Sequence, residues 1–162
     1  MTTVISDTSP VNYLCLIGAI DILPRLFDSV IIPPTVLLEL QHSKAPAAVS
    51  SWLQQWPAWL KLQAPANLLD GLDLDAGESE AISLALELKL PIILLDDRSA
   101  RKAAETRGLT PVGTLNILYS AHQHGILDFE IAMARLRATN FHIDHTIVES
   151  LIESVRKGNN IP

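Results

Sequence analysis

The sequence predicts an α/β sandwich: a parallel sheet with helices on both faces. Three observations lead there. Short runs at Thr3–Ser6, Ser29–Ile32 and Pro91–Leu95, rich in β-branched residues and leucine, are bounded by Pro, Asp or Ser, as buried parallel strands are. Each run leads into a helical pattern, and right-handed crossovers turn that alternation into a parallel sheet. The 162 residues, 48% hydrophobic and 19% charged with a mean hydropathy of +0.25, supply a core on their own. A chain of about 150 residues buries roughly 68–70% of its unfolded surface, so no disulfide or metal staple is required.

The elements follow in order. After the first strand, Ser9 suits an N-cap and Pro10 the first helical position, which leaves Asp7 in the turn. The second strand, Ser29–Ile32, leads through Pro34 into a helix over Thr35–His42. Ala47–Trp56 carries Val49, Leu53 and Trp56 on one helical face, and Leu60–Gln63 is strand-like. Asp75 and Glu78 have capping-box spacing ahead of an apolar helix ending near Leu88, and the strand at Pro91–Leu95 follows at once. Asp97–Arg107 is a charged helix stopped by Gly108, and Thr110–Val112 forms a short fifth strand. Helices over Leu115–His124, Asp128–Thr139 and Asp144–Lys157 complete a helical C-terminal third of a single domain spanning residues 1–162.

Composition narrows the function classes. A formal net charge of −6 argues against a protein that coats nucleic acid with a broad basic surface, though not against a nuclease with a local basic rim. The single cysteine, Cys15, cannot form an intrachain disulfide, and neither a secretion signal nor an apolar run of roughly 18 residues is present. A soluble, cytoplasmic protein is the expectation. None of the seven glycines forms a dinucleotide-binding or P-loop pattern.

Chemistry points instead to carboxylates. Active sites of open parallel sheets lie beyond the carboxyl ends of the strands, where Asp7 follows the first strand and Asp96 with Asp97 the fourth. Glu39 lies in the helix after strand two, and Glu78 opens the helix leading into strand four. Clustered carboxylates resist ionisation unless a cation neutralises them, so such a pocket suits oxygen-loving Mg²⁺ or Mn²⁺. Each acid also has a plain structural use: Asp7, Asp96 and Asp97 as caps, Glu78 as partner in a capping box, Glu39 as a solvated helix residue.

The order of these blocks resembles the PIN-domain proteins, specifically the VapC-like toxin branch labelled DUF3368. The resemblance is carried by Ile5-Ser6-Asp7-Thr8-Ser9-Pro10, Val36-Leu37-Leu38-Glu39-Leu40, Leu74-Asp75-Ala76-Gly77-Glu78-Ser79-Glu80-Ala81-Ile82 and Leu95-Asp96-Asp97-Arg98-Ser99-Ala100-Arg101, followed by Gly108-Leu109 and Val112-Gly113-Thr114. It implies a three-layer α/β/α sandwich around a five-stranded parallel sheet. It further implies a metal-dependent endoribonuclease, the toxin of a type II toxin–antitoxin pair, using Mg²⁺ or Mn²⁺. By matched position Asp7, Glu39, Glu78 and Asp96 look like the acidic quartet, with Asp97 sharing or replacing the role of Asp96. Glu80 is a weaker alternative to Glu78, because two residues along a helix point about 200° apart. Ser9 matches a position whose hydroxyl supports the acids. The resemblance also implies a homodimer and a small antitoxin protein as partners.

Arg98, Arg101 and Lys102 follow the acidic pair and suit a phosphate-binding rim, although pairing with Asp97 and Glu105 along the helix is an equal reading. His122 and His124, two apart on a helix, make a poor metal pair. Trp52 and Trp56, at i and i+4, suit helix packing better than base stacking. Two other functions compete with the ribonuclease: an inactive PIN-like scaffold binding RNA or protein, and a phosphatase of the haloacid-dehalogenase type with Asp7 as nucleophile. The latter chemistry wants an Asp at the position of Ser9.

Overall fold

The computed structural model describes residues 2–158. Five strands, β1 (Thr3–Ser6), β2 (Ser29–Ile32), β3 (Leu60–Leu62), β4 (Ile92–Leu94) and β5 (Thr110–Val112), form one all-parallel sheet in the order β3-β2-β1-β4-β5. The predicted α/β sandwich with a five-stranded parallel sheet is therefore the observed fold. Ile5 is in register with Ile31 on one side and Ile93 on the other. These side chains share a face, where they pack with Ala81, Ile82, Leu84 and Ala85 of α5 (Ala76–Glu87) and Ala100 and Ala104 of α6 (Arg98–Glu105). Val4, Val30, Ile32 and Leu94 alternate to the opposite face and are equally buried, so both faces of the sheet are covered.

The chain divides into two compact units, Met1–Thr114 and Leu115–Pro162. The first holds the sheet together with α1 (Thr8–Leu16), a 3₁₀ turn at Ile20–Ile22, α2 (Leu23–Leu26), α3 (Pro34–Leu40), α4 (Ala47–Leu53), α5 and α6. Its strand order reverses at β1: β2 lies to one side and β4 to the other. The carboxyl ends of β1 and β4 therefore flank a topological switch point, where such sheets open a crevice. The Asp7 amide donates to the Leu94 carbonyl at 3.0 Å and closes this end of the pair.

Three local expectations are corrected. Helix α1 starts at Thr8, two residues earlier than a Ser9 cap would allow. Asp7 takes the N-cap position with extended backbone but makes no side-chain cap bond, and Pro10 is tolerated because it falls among the first helical amides, which lack intrahelical partners. Helix α4 ends at Leu53, so Trp56 does not lie on its face. Trp56 instead donates its indole N–H to the Leu60 carbonyl at 2.9 Å, and Trp52 packs on Trp59 at 5.9 Å between ring centroids. The segment through Ile20–Leu26 is helical, which the sequence pattern did not suggest.

The second unit carries α7 (Thr114–Gln123) from its second residue onward, α8 (Phe129–Arg137) and α9 (His145–Arg156). Asp128 caps α8 through the Ile131 amide, and Asp144 caps α9 through the Thr146 and Ile147 amides. Phe129 is fully buried and meets Tyr119 edge-on at 5.7 Å, while its amide donates to His122 Nδ1 at 3.1 Å. That bond gives His122 a structural use in the α7–α8 turn. Arg156 pairs with Glu130 at 2.7 Å, linking α9 to α8.

Candidate functional site

The site is built at the carboxyl ends of β1 and β4, and each acid reaches it by a different local device. Asp7 ends β1 and is 7% exposed; its carboxylate accepts a hydrogen bond from the Thr8 backbone. Glu39, near the end of α3, sends Oε2 to the Thr8 hydroxyl. Glu78 lies in the first turn of α5, where the predicted capping box forms: Asp75 Oδ1 accepts from the Glu78 amide at 2.8 Å, and the Glu78 carboxylate accepts in return from the Asp75 backbone.

Gly77 explains how Glu39 and Asp7 approach each other. A Cβ there would stand 2.9 Å from Glu39 Oε1 and 3.3 Å from Asp7 Oδ1, so both oxygens flank one point beside the α5 backbone. Glycine inside a helix costs about 0.5–1 kcal/mol relative to alanine, and close approach of two carboxylates is its compensation. Gly77→Ala should hold or raise the melting temperature through helix propensity while its methyl pushes the Glu39 carboxylate aside. Any chemistry that uses Glu39 should fall roughly tenfold, equivalent to about 1.4 kcal/mol of transition-state stabilisation. Circular dichroism and a divalent-cation titration on the same preparation check this; unchanged cation affinity would detach Glu39 from the site.

Asp96 is held differently. Its Oδ2 accepts from Ser9 Oγ and from Thr114 Oγ1, both at 2.7 Å, and its Oδ1 from the Thr114 amide at 2.7 Å. Ser9 is therefore a support for Asp96 across the β1–β4 junction and not a helix cap. A carboxylate offers about four lone-pair positions, so these three donors leave Asp96 oriented with one acceptor position on Oδ1. Asp97 caps α6, accepting from the Ala100 amide at 3.0 Å, and also adds to the negative potential at Glu78. Its structural use is thus realised. Glu80 keeps one buried oxygen, Oε2, without a hydrogen-bond partner among the described residues.

Electrostatics joins Asp7, Glu39, Glu78 and Asp75 into one group. Burial, reinforced by the charges of Glu78, Asp75 and Glu39, raises the Asp7 carboxyl to about 8. Burial, reinforced by Asp75, Asp97 and Glu39, raises that of Glu78 to about 7. Two carboxyls that bind protons this tightly mark a place that lacks compensating positive charge. Asp75 was legible only as a cap, Thr8 only as part of a motif, and Thr114 only as a helix start; all three act on the acids. Asp75 lies three residues from Glu78, whereas the Thr8–Glu39 and Thr114–Asp96 contacts span 31 and 18 residues and no spacing rule announces them.

The donor set, all oxygen and all hard, fits Mg²⁺ or Mn²⁺. Among the described residues no three carboxylate, imidazole or thiolate side chains are arranged to enclose an ion by themselves.

A family model described as DUF3368, PIN domain, matches residues 3–157. Among solved structures, the chain is similar to a PilT N-terminus domain protein, SSO1118, from the hyperthermophilic archaeon Sulfolobus solfataricus P2. The two share 18% identity and a TM-score of 0.50 over 90% of this chain and 99% of that one, a likeness of fold. A search of curated proteins gives no match.

Proposed function

Because the chain belongs to the PIN-domain family DUF3368, whose members are generally nucleases, we propose that it is a divalent-cation-dependent endoribonuclease. The observation that carries this reading is the pair of proton-binding carboxyls, Asp7 and Glu78, gathered with Glu39 at the switch point of the sheet. Asp7, with Glu39 or Glu78 beside it, would supply one or two carboxylates to Mg²⁺ or Mn²⁺, water and substrate completing the shell. When bound, such an ion lowers the pKa of a coordinated water and offsets charge developing on the phosphate oxygens. The chain's own residues do the rest: Thr8 orients Glu39, Ser9 and Thr114 orient Asp96, and the Asp75 backbone orients Glu78.

The test is cleavage of a panel of structured and single-stranded RNAs with and without Mn²⁺. Products carrying 5′-phosphate and 3′-hydroxyl ends are expected. Ends with a 2′,3′-cyclic phosphate would instead show attack by the RNA's own 2′-hydroxyl, and a phosphoaspartate on Asp7 would favour the phosphatase. A folded protein that binds RNA without cutting it would favour the scaffold.

Proton linkage provides a second check. Both raised carboxyls bind more protons in the native state than in the unfolded one between about pH 4 and 8. Stability therefore falls as pH rises through that window and levels above it. Cations compete with those protons, so the gain in melting temperature on adding Mn²⁺ should be larger at pH 8 than at pH 6. An equal gain at both pH values would contradict binding at Asp7 and Glu78.

We also propose that this nuclease is a toxin of a type II toxin–antitoxin pair, working in the cytoplasm as a noncovalent homodimer. No helix among the described residues is long and apolar enough to cross a membrane. Leu38 on α3 and Ile131 on α8 are 66% and 56% exposed. Light scattering and co-purification with a small neighbour-encoded protein test the two partners.

A further inference from the structure

Arg101 is only partly exposed on α6, and its guanidinium reaches toward Gly113. A Cβ on that glycine would lie 3.0 Å from Arg101 Nη1 and 3.1 Å from Asp96 Oδ1. The guanidinium and the carboxylate thus flank the same point, in room that only glycine leaves. They are not paired with each other: among the described residues no ion pair or hydrogen bond engages the Arg101 side chain. Asp96 already has Ser9 and Thr114 as donors, which leaves the five N–H groups of Arg101 unspent. By contrast, Arg107 donates to the Ala103 carbonyl of its own helix, and Arg98 and Lys102 are exposed.

A partly buried guanidinium with free donors, beside a carboxylate whose acceptor positions are mostly filled, needs an acceptor from outside. Its planar fork matches the two non-bridging oxygens of a phosphodiester. Resting on the ribonuclease reading, we infer that Arg101 holds a backbone phosphate of single-stranded RNA next to the acids, and that position 113 is glycine to keep this slot open. Arg101 is then a substrate-binding residue, and Asp96 keeps its charge at the strand ends.

The experiment measures binding of a labelled single-stranded RNA oligonucleotide by fluorescence anisotropy in EDTA over a salt series, with cleavage kinetics in Mn²⁺ alongside. Arg101→Ala should weaken binding roughly tenfold and reduce the slope of log affinity against log salt by about 0.7, one phosphate contact. Arg101→Lys should restore the slope but not the full affinity, because an ammonium cannot make the fork. Gly113→Ala retains every charge and should lose affinity as Arg101→Ala does. Arg107→Ala should stay within about twofold of wild type, since its charge is exposed and screened. If Gly113→Ala fails to fold, the arginine series decides alone. Wild-type affinity and salt slope in Arg101→Ala, with RNA still bound and cut by the wild type, would overturn the inference and leave the ribonuclease reading standing. An equal loss in Arg107→Ala would overturn it too, by reducing the effect to overall charge. A wild type that neither binds nor cuts RNA would remove both.

Discussion

Asp7→Asn should abolish RNA cleavage in a protein that melts higher than wild type at pH 9. Asparagine has nearly the volume of aspartate and keeps an oxygen to accept the Thr8 backbone hydrogen bond, so the end of β1 is undisturbed. What disappears is a charge, and that charge has opposite effects on the two readouts. Several kcal/mol of transition-state stabilisation from a held cation, at about 1.4 kcal/mol per tenfold, corresponds to a loss of roughly 100- to 1000-fold in rate. For stability, Asp7 is buried among carboxylates, and its carboxyl is raised from 3.8 to about 8. Above pH 8 the wild type must carry that charge, so the variant should be more stable there by on the order of a few kcal/mol, with the difference vanishing below about pH 4. A pH series of thermal melts next to a cleavage assay reads both effects. Full cleavage by a folded Asp7→Asn protein would remove Asp7 from the site.

The largest loss of stability is expected in the second unit, at Phe129→Ala. The ring is fully buried, packs edge-on against Tyr119, and opens the helix whose first amide is tied to His122. Truncation removes its transfer free energy and leaves a cavity, a combination that costs about 3–5 kcal/mol. The edge-to-face pair with Tyr119 belongs within that sum. Denaturant titration should show a lower midpoint at nearly unchanged slope. A change under 1 kcal/mol would mean that the α7–α8 turn collapses onto the space without strain.

The strands and the acids were legible because their signals are local. Thr3–Ser6 and Ser29–Ile32 are β-branched runs between breakers, Asp7 follows β1 directly and Asp96 stands two residues past the end of β4. Capping at Asp75 was equally visible, since its partner lies three residues away. What could not be read is whatever depends on residues brought together from afar. Ser9 resembles a cap in isolation; its contact with Asp96 exists only once β1 and β4 are neighbours. Gly77 and Gly113 contribute by lacking a side chain, and no pattern in the chain says which carboxylate or guanidinium will use that space. The helical turns through Ile20–Leu26 were missed because four- and three-residue helices are too short to establish a period.

The neighbours β1 and β4 also set when the candidate site comes into being. Ser9 and Asp96 are separated by 87 residues, so a ribosome adding roughly 5–20 residues per second needs about 4–17 s between them. During that interval the emerging chain already exposes Asp7 and Glu39 but has no strand for β1 to pair with on its β4 side. In a chain made in this order the candidate site stays incomplete while the first half leaves the ribosome.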